Sequence, residues 1–136
     1  ISFEEIYAKA FYQLNIEWLE TFFYVEIFDK EVLSNPNKHI IKKGGHIFFL
    51  LENTKVIGTV ALMKKKERVY ERTKMAINPE KRGNKMGQYL LEYCIDFAKN
   101  KKLNKPTNTI ITYSIYKCNL FYISRVFMRI FNSHFW

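Results

Sequence analysis

The sequence predicts an α+β domain, a mixed and mainly antiparallel sheet flanked by helices and closed by a βαβ unit. Three observations carry that expectation. Apolar residues recur at helical spacing as far as residue 33, alternate at strand spacing between 46 and 77, and return to one unbroken helical stripe from 86 to 98. A further strand-like run follows at 109–115, so the last elements read as strand, helix, strand, with a right-handed crossover. A chain of 136 residues suits one domain, 1–136, and neither an internal repeat nor a linker interrupts it.

The elements follow in order. Ser2 and Glu5 have capping-box spacing, and Phe3, Ile6, Tyr7, Ala10, Phe11 and Leu14 then fall on one helical face. Asn15 is expected to cap a second short helix through Trp18, Leu19 and Phe22. Another turn or two of helix covers 27–33, stopped by Asn35-Pro36, and Gly44-Gly45 breaks the chain. Strands are expected at 46–52 and 55–63, joined as a hairpin by Asn53-Thr54, with Gly58 marking a bulge or a close backbone approach. Residues 64–67 read as a charged turn and 68–77 as a third strand. One face of that strand carries Val69, Glu71, Thr73 and Met75, the other Tyr70, Arg72, Lys74 and Ala76. Asn78-Pro79 ends it. Met86, Tyr89, Leu90, Tyr93, Cys94, Phe97 and Ala98 then form the helical stripe, with Lys99, Lys101 and Lys102 where the helix dipole favours cations.

Composition narrows the class. Hydrophobic residues make up 48% of the chain, enough for a packed core and against disorder. The longest apolar run, 47–51, is far shorter than the roughly 18 residues a membrane span needs, and no signal-peptide pattern opens the chain. Cys94 and Cys118 make neither a metal spacing nor a disulfide framework, and His39, His46 and His134 lie far apart, so no metal is expected and a cytoplasmic setting fits. The net charge of +9 has three explanations: nucleic acid or membrane, a small polyanion such as coenzyme A, or lysine as the ordinary solvated surface residue. The aromatics follow core periodicity and do not interleave with lysines along one exposed stripe, which argues against nucleic acid.

The segment richest in chemistry is the loop between the third strand and the long helix, Arg82-Gly83-Asn84-Lys85-Met86-Gly87. A loop entering a helix presents unpaired N–H groups at the positive end of the dipole. Glycines let the backbone approach an anion closely, and Arg82 and Lys85 add charge. The local expectation is an anion site suited to a pyrophosphate. It lacks both the Gly-Lys-Ser/Thr ending of a phosphate-binding P-loop and the three-glycine dinucleotide fingerprint. The plain alternative is an ordinary strand-to-helix connection with turn glycines.

The wider context favours the site. The stretch 74–99 resembles the acetyl-CoA motif of the GNAT acetyltransferase superfamily: a strand, then Arg/Gln-x-x-Gly-x-Gly/Ala, then a helix. Upstream, 11–19, Leu33-Ser34-Asn35-Pro36, Gly44-Gly45-His46-Ile47-Phe48-Phe49 and 57–62 look like one bacterial subgroup of it, so the likeness covers about 11–100. The resemblance implies an N-acetyltransferase using acetyl-CoA as cosubstrate and a small-molecule or peptide amine as acceptor, with no metal; a homodimer is compatible with it. It gives Met75, Ala76 and Ile77 to the acetyl and pantetheine portion, and Arg82, Gly83, Asn84, Lys85, Met86, Gly87 and Gln88 to the pyrophosphate loop. Lys85 stands where the family usually has glycine, so a positive φ there would strain the backbone. Glu71 is the candidate general base that strips the amine of its proton. Its plain alternative is a strand carboxylate paired with Lys or Arg.

Two departures from the family stand out. Its Asn-Ala-x-x-x-Tyr is replaced at 117–125 by Lys-Cys-Asn-Leu-Phe-Tyr-Ile-Ser-Arg, with Ser124 at the tyrosine position, and its following Gly-Phe falls on Met128-Arg129. Tyr122 is then a displaced candidate for the acid that protonates the leaving thiolate, and its plain alternative is a core aromatic. A reading-frame change near 114–118 would account for the tail, since codons for Lys-Cys-Asn-Leu can read Asn-Ala-Ile one base later. Most of the family's first strand is also missing ahead of the first helix. The tail feeds an alternative, an acyl-CoA-binding domain without turnover.

Overall fold

The chain is seen in a computed structural model that describes residues 1–67, 69–100 and 110–113. Residues 117–136, Tyr122 among them, lie outside the described residues.

Helix α1 (Ala8–Phe22) is continuous after a 3-10 turn at Glu5–Tyr7. Phe11, Leu14, Asn15, Trp18 and Leu19 are its buried residues, the i, i+3, i+4, i+7 and i+8 positions of one face. Asn15 therefore does not cap a second helix. It lies inside α1, fully buried, and its Nδ2 donates to the Phe11 carbonyl at 2.9 Å, which satisfies the amide without breaking the helix. Ser2 is not a cap either. It bridges antiparallel to Phe48, and Ile1 O accepts the Phe49 N–H at 2.8 Å, because the open edge of a strand offers more backbone bonds than a helix start does. The capping box sits instead at α2 (Ile27–Ser34), between Glu26 and Asp29.

After a π-turn (Asn37–Ile41) and Gly44 at φ +88°, the sheet begins. Strand β1 (His46–Glu52) pairs antiparallel with β2 (Lys55–Lys66), β2 pairs antiparallel with β3 (Val69–Ile77), and β3 pairs parallel with β4 (Ile110–Tyr113). Ile47, Phe48 and Phe49 are buried in succession because helices cover both faces. Phe49 meets the Tyr7 ring at 5.3 Å on the α1 side. Phe48 meets Tyr93 and Phe97 of α3 (Met86–Asn100) at 5.1 and 4.9 Å on the other. The expected charged turn at 64–67 is mostly strand: Lys64 and Lys66 stay in the ladder opposite Tyr70 and Val69. Gly58 adjoins a bulge, the first of the two readings open for it, and packs against side chains. The register slips between Leu50↔Gly58 and Leu51↔Val56, and a Cβ there would lie 2.7 Å from Ile77 Cδ1.

Strand β3 departs from strict alternation. The pairs Ala61↔Thr73 and Thr59↔Ala76 leave one extra residue in β3, and Lys74 takes φ +49° there. The expected grouping of Met75 with Glu71 and Thr73 is therefore overturned. Arg72 Nη1 reaches Met75 Sδ at 3.2 Å, so Met75 shares the α3-side face of Arg72. Glu71 and Thr73 lie opposite Met63 and Ala61, on the α1 side. The bulge reverses the alternation, which no period-two reading registers.

Candidate active site

The connection from β3 to α3 is built by local backbone chemistry. Asn78 N–H donates to Ile57 O at 2.8 Å and ties the end of β3 to β2. The Asn78 side chain accepts the Glu80 N–H at 3.0 Å, an Asx turn that starts the 3-10 turn Pro79–Lys81. Asn84 Nδ2 donates to Lys81 O at 3.3 Å and closes the loop on itself. Gly83 then takes φ +82° and Lys85 φ +61°. Left-handed residues can turn neighbouring N–H groups toward one side, as an anion-binding loop requires.

Helix α3 starts directly behind. Tyr89 N–H closes the first helical bond onto Lys85 O at 3.0 Å, so the N–H groups of Met86, Gly87 and Gln88 precede the ladder. Its first turn carries no carboxylate to neutralise the positive dipole end. Gly83, Asn84, Lys85 and Gln88 are exposed, while Gly87 is buried at the helix start. These features suit a phosphate chain.

Lys85 holds the strained conformation anticipated for a residue at the usual glycine position. Lys85→Gly is expected to raise stability by up to about 1 kcal/mol, because strain relief exceeds the entropy glycine adds to the unfolded chain. It should also weaken coenzyme A binding by removing an ammonium. Thermal unfolding checks the first effect, and an unchanged or lower midpoint would show that Lys85 is unstrained.

Arg82 does something other than face the loop. Its guanidinium forks onto Glu17 of α1, Nη2 to Oε2 and Nη1 to Oε1 at 3.4 Å. Its Cζ lies 5.1 Å from the Trp18 ring centroid and 5.2 Å from that of Phe22. Arg82 thus offers the loop its backbone and uses its side chain to fasten the loop to α1. Arg82→Ala should destabilise the fold by about 1–3 kcal/mol, nearer the lower figure because Glu17 keeps solvent contact. Denaturant unfolding reads this, and an unchanged midpoint would make the pair ornamental. Sequence alone gave no sign of Glu17, which lies 65 positions away.

Glu71 pairs with Lys65, Oε2 to Nζ at 3.1 Å, the partnership its plain alternative anticipated. It remains part-exposed on the α1-side face, three residues before the bulge at Lys74. Among the described residues, the β3–β4 ladder runs from Val69↔Ile110 to Arg72↔Tyr113, with Glu71 inside it opposite Thr112. Cys94, facing Arg72 from α3, is no nucleophile. Burial pushes its thiol up to about 12, and the neighbouring guanidinium offsets only part of that. Among the described residues no group of His, Cys, Asp and Glu is placed to hold a metal ion, and no helix is long and apolar enough to cross a membrane.

The order of the strands, the bulge in β3 and the left-handed loop before α3 describe the architecture, and sequence comparison agrees with it. The family model for the acetyltransferase (GNAT) family matches residues 3–113. The chain belongs to the GNAT acetyltransferase family. That match reaches further at both ends than the likeness read from motifs. No curated protein matches the chain. Among solved structures, a GNAT-family acetyltransferase from Staphylococcus aureus Mu50 superposes with a TM-score of 0.64 at 18% identity, over 74% of this chain and 65% of that one. An acetyltransferase from Clostridium acetobutylicum, solved with acetyl-CoA, gives 0.63 at 16% identity over 96% and 84%. Spermidine N-acetyltransferase from Vibrio cholerae, in complex with CoA and spermine, gives 0.54 at 20% identity over 74% and 63%. This chain thus spans a little under two thirds of the Staphylococcus and Vibrio proteins. At these identities the likeness is one of fold, a GNAT fold shared with bacterial acetyltransferases.

Proposed function

We propose that the chain is an acetyl-CoA-dependent N-acetyltransferase that passes an acetyl group to a primary amine by direct attack of the amine on the thioester. The observation that carries this reading is the pair of left-handed residues, Gly83 and Lys85, ahead of a helix whose first turn is free of carboxylates. The N–H groups of 83–88 would hold the pyrophosphate, with the Lys85 ammonium beside it. The backbone of Met75, Ala76 and Ile77 would face the acetyl and pantetheine portion, and an N–H near Met75 or Ile77 would meet negative charge developing on the carbonyl oxygen. Glu71 would take the amine's proton, directly or through one water, since only the neutral amine attacks. Tyr122 keeps its place as the proposed acid for the leaving thiolate. A cytoplasmic setting suits the free thiol of Cys94.

The acceptor is a small-molecule or peptide amine. The Vibrio enzyme's complex with spermine gives polyamines a place among the amines to be tried first. A second reading, an acyl-CoA-binding domain without turnover, rests on the tail at 117–125, where Ser124 replaces the family's tyrosine. Titration with acetyl-CoA followed by a turnover assay separates the two. Both readings require binding, and only the first requires amine-dependent release of the free thiol.

A further inference from the structure

Lys74 supplies the extra residue of the β3 bulge, and its φ of 49° lies in the left-handed region that favours glycine. A side chain bearing a Cβ stays in that conformation when its surroundings hold it there. The holding contact is visible. Lys74 Nζ donates to Asp29 Oδ1 at 2.9 Å, with the two side chains 14% and 3% exposed. Asp29 is anchored in turn, because its Oδ2 accepts the Glu26 N–H at 3.0 Å in the capping box of α2. A nearly buried ion pair is poor evidence for stability, since desolvation consumes most of its attraction. Fixing one conformation among several is the better use of it.

We propose that Lys74 and Asp29 are positioning residues whose ion pair latches the β3 bulge to the first turn of α2 and so sets the Met75 backbone against the thioester. The inference rests on the acetyl-transfer reading. The bulge follows directly on the Arg72↔Tyr113 pair of β3 and β4 and reorients the backbone groups of β3 beyond it. Their direction depends on the Lys74 dihedral, and that dihedral is tied to a helix on the far side of the sheet from α3. Docking of α2 and geometry at the acyl carbon are thereby linked through one contact.

Three variants test the latch. Lys74→Met removes the ammonium and keeps the strained Cβ. Lys74→Gly removes both, so the bulge forms without a latch. Asp29→Asn removes the charge and keeps an oxygen for the cap. Lys74→Met and Asp29→Asn should lower kcat by up to about 10²-fold, the cost of misplacing a reacting group by about 1 Å, with KM for acetyl-CoA nearly unchanged. Lys74→Gly should recover most of that kcat. Equal losses in Lys74→Met and Lys74→Gly, or wild-type kcat in Lys74→Met, would overturn the proposal, and a lowered melting temperature without a change in kcat would do the same. If the wild type binds acetyl-CoA and never turns over, the acetyl-transfer reading falls by itself, and amide exchange then decides the latch. Faster exchange at Met75 and Ala76 in Lys74→Met, with β1 unchanged, supports it, and wild-type rates there overturn it.

Discussion

Glu71→Gln should slow acetyl transfer by about 10²–10⁴-fold while leaving acetyl-CoA affinity nearly unchanged. The substitution keeps the shape of the side chain and removes its ability to take a proton. Glu71 stands on the α1-side face of β3, opposite Met63 of β2 and Thr112 of β4. Its carboxylate is paired with Lys65 at 3.1 Å, and the side chain is part-exposed. Lys65→Met is the companion variant. If Lys65 only orients the carboxylate, its loss should cost far less than the loss of the carboxylate itself. Full activity of Glu71→Gln from about pH 6 to 9 would return Glu71 to the role of partner to Lys65.

Gly87→Val should weaken coenzyme A binding by about 10- to 100-fold, the equivalent of the 1–3 kcal/mol that overpacking typically costs. Gly87 is the second residue of α3 and is buried, with exposed Asn84, Lys85 and Gln88 around it. The Gly87 N–H is among those that precede the helical ladder, and a branched side chain beside it would crowd the start of the helix where a phosphate would bind. Gly83→Ala is the informative contrast. A Cβ at Gly83 would meet nothing within 4 Å, so any loss there comes from φ +82° alone and not from crowding. Calorimetry with coenzyme A reads both variants, and unchanged affinity in Gly87→Val would remove the phosphate from this loop.

Much of this molecule is legible without coordinates, for reasons that differ by element. Met86 to Ala98 reads as a helix because Leu90, Cys94 and Ala98 are buried on one face, while Tyr89 and Tyr93 of the same stripe are exposed at its margin. The hairpin of β1 and β2 shows through Asn53, whose φ of 57° suits the residue types that tolerate it. The positive φ at Lys85 could be anticipated from the resemblance, because the family's glycine marks a conformation and not a side chain. What stayed hidden was non-local. The bulge at Lys74 looks like any strand residue, since a period-two pattern carries no mark of one added residue. The unions of Arg82 with Glu17 and of Lys74 with Asp29 join residues 65 and 45 positions apart, and no spacing rule relates them. Asn15 was misread because an amide suits both a cap and a buried turn, and only its place inside α1 decides which.

Following both products of one reaction decides whether this GNAT-family chain transfers acetyl groups to amines. The full chain would be incubated with acetyl-CoA and a panel of primary amines, including polyamines, amino acids and peptides. Free thiol and acetylated amine would be measured together by mass spectrometry. At least one amine should accelerate thiol release and gain one acetyl group for each thiol formed. Tight binding of acetyl-CoA with thiol release no faster in any amine than in buffer would contradict it, and would leave the chain a binding domain on an acetyltransferase fold.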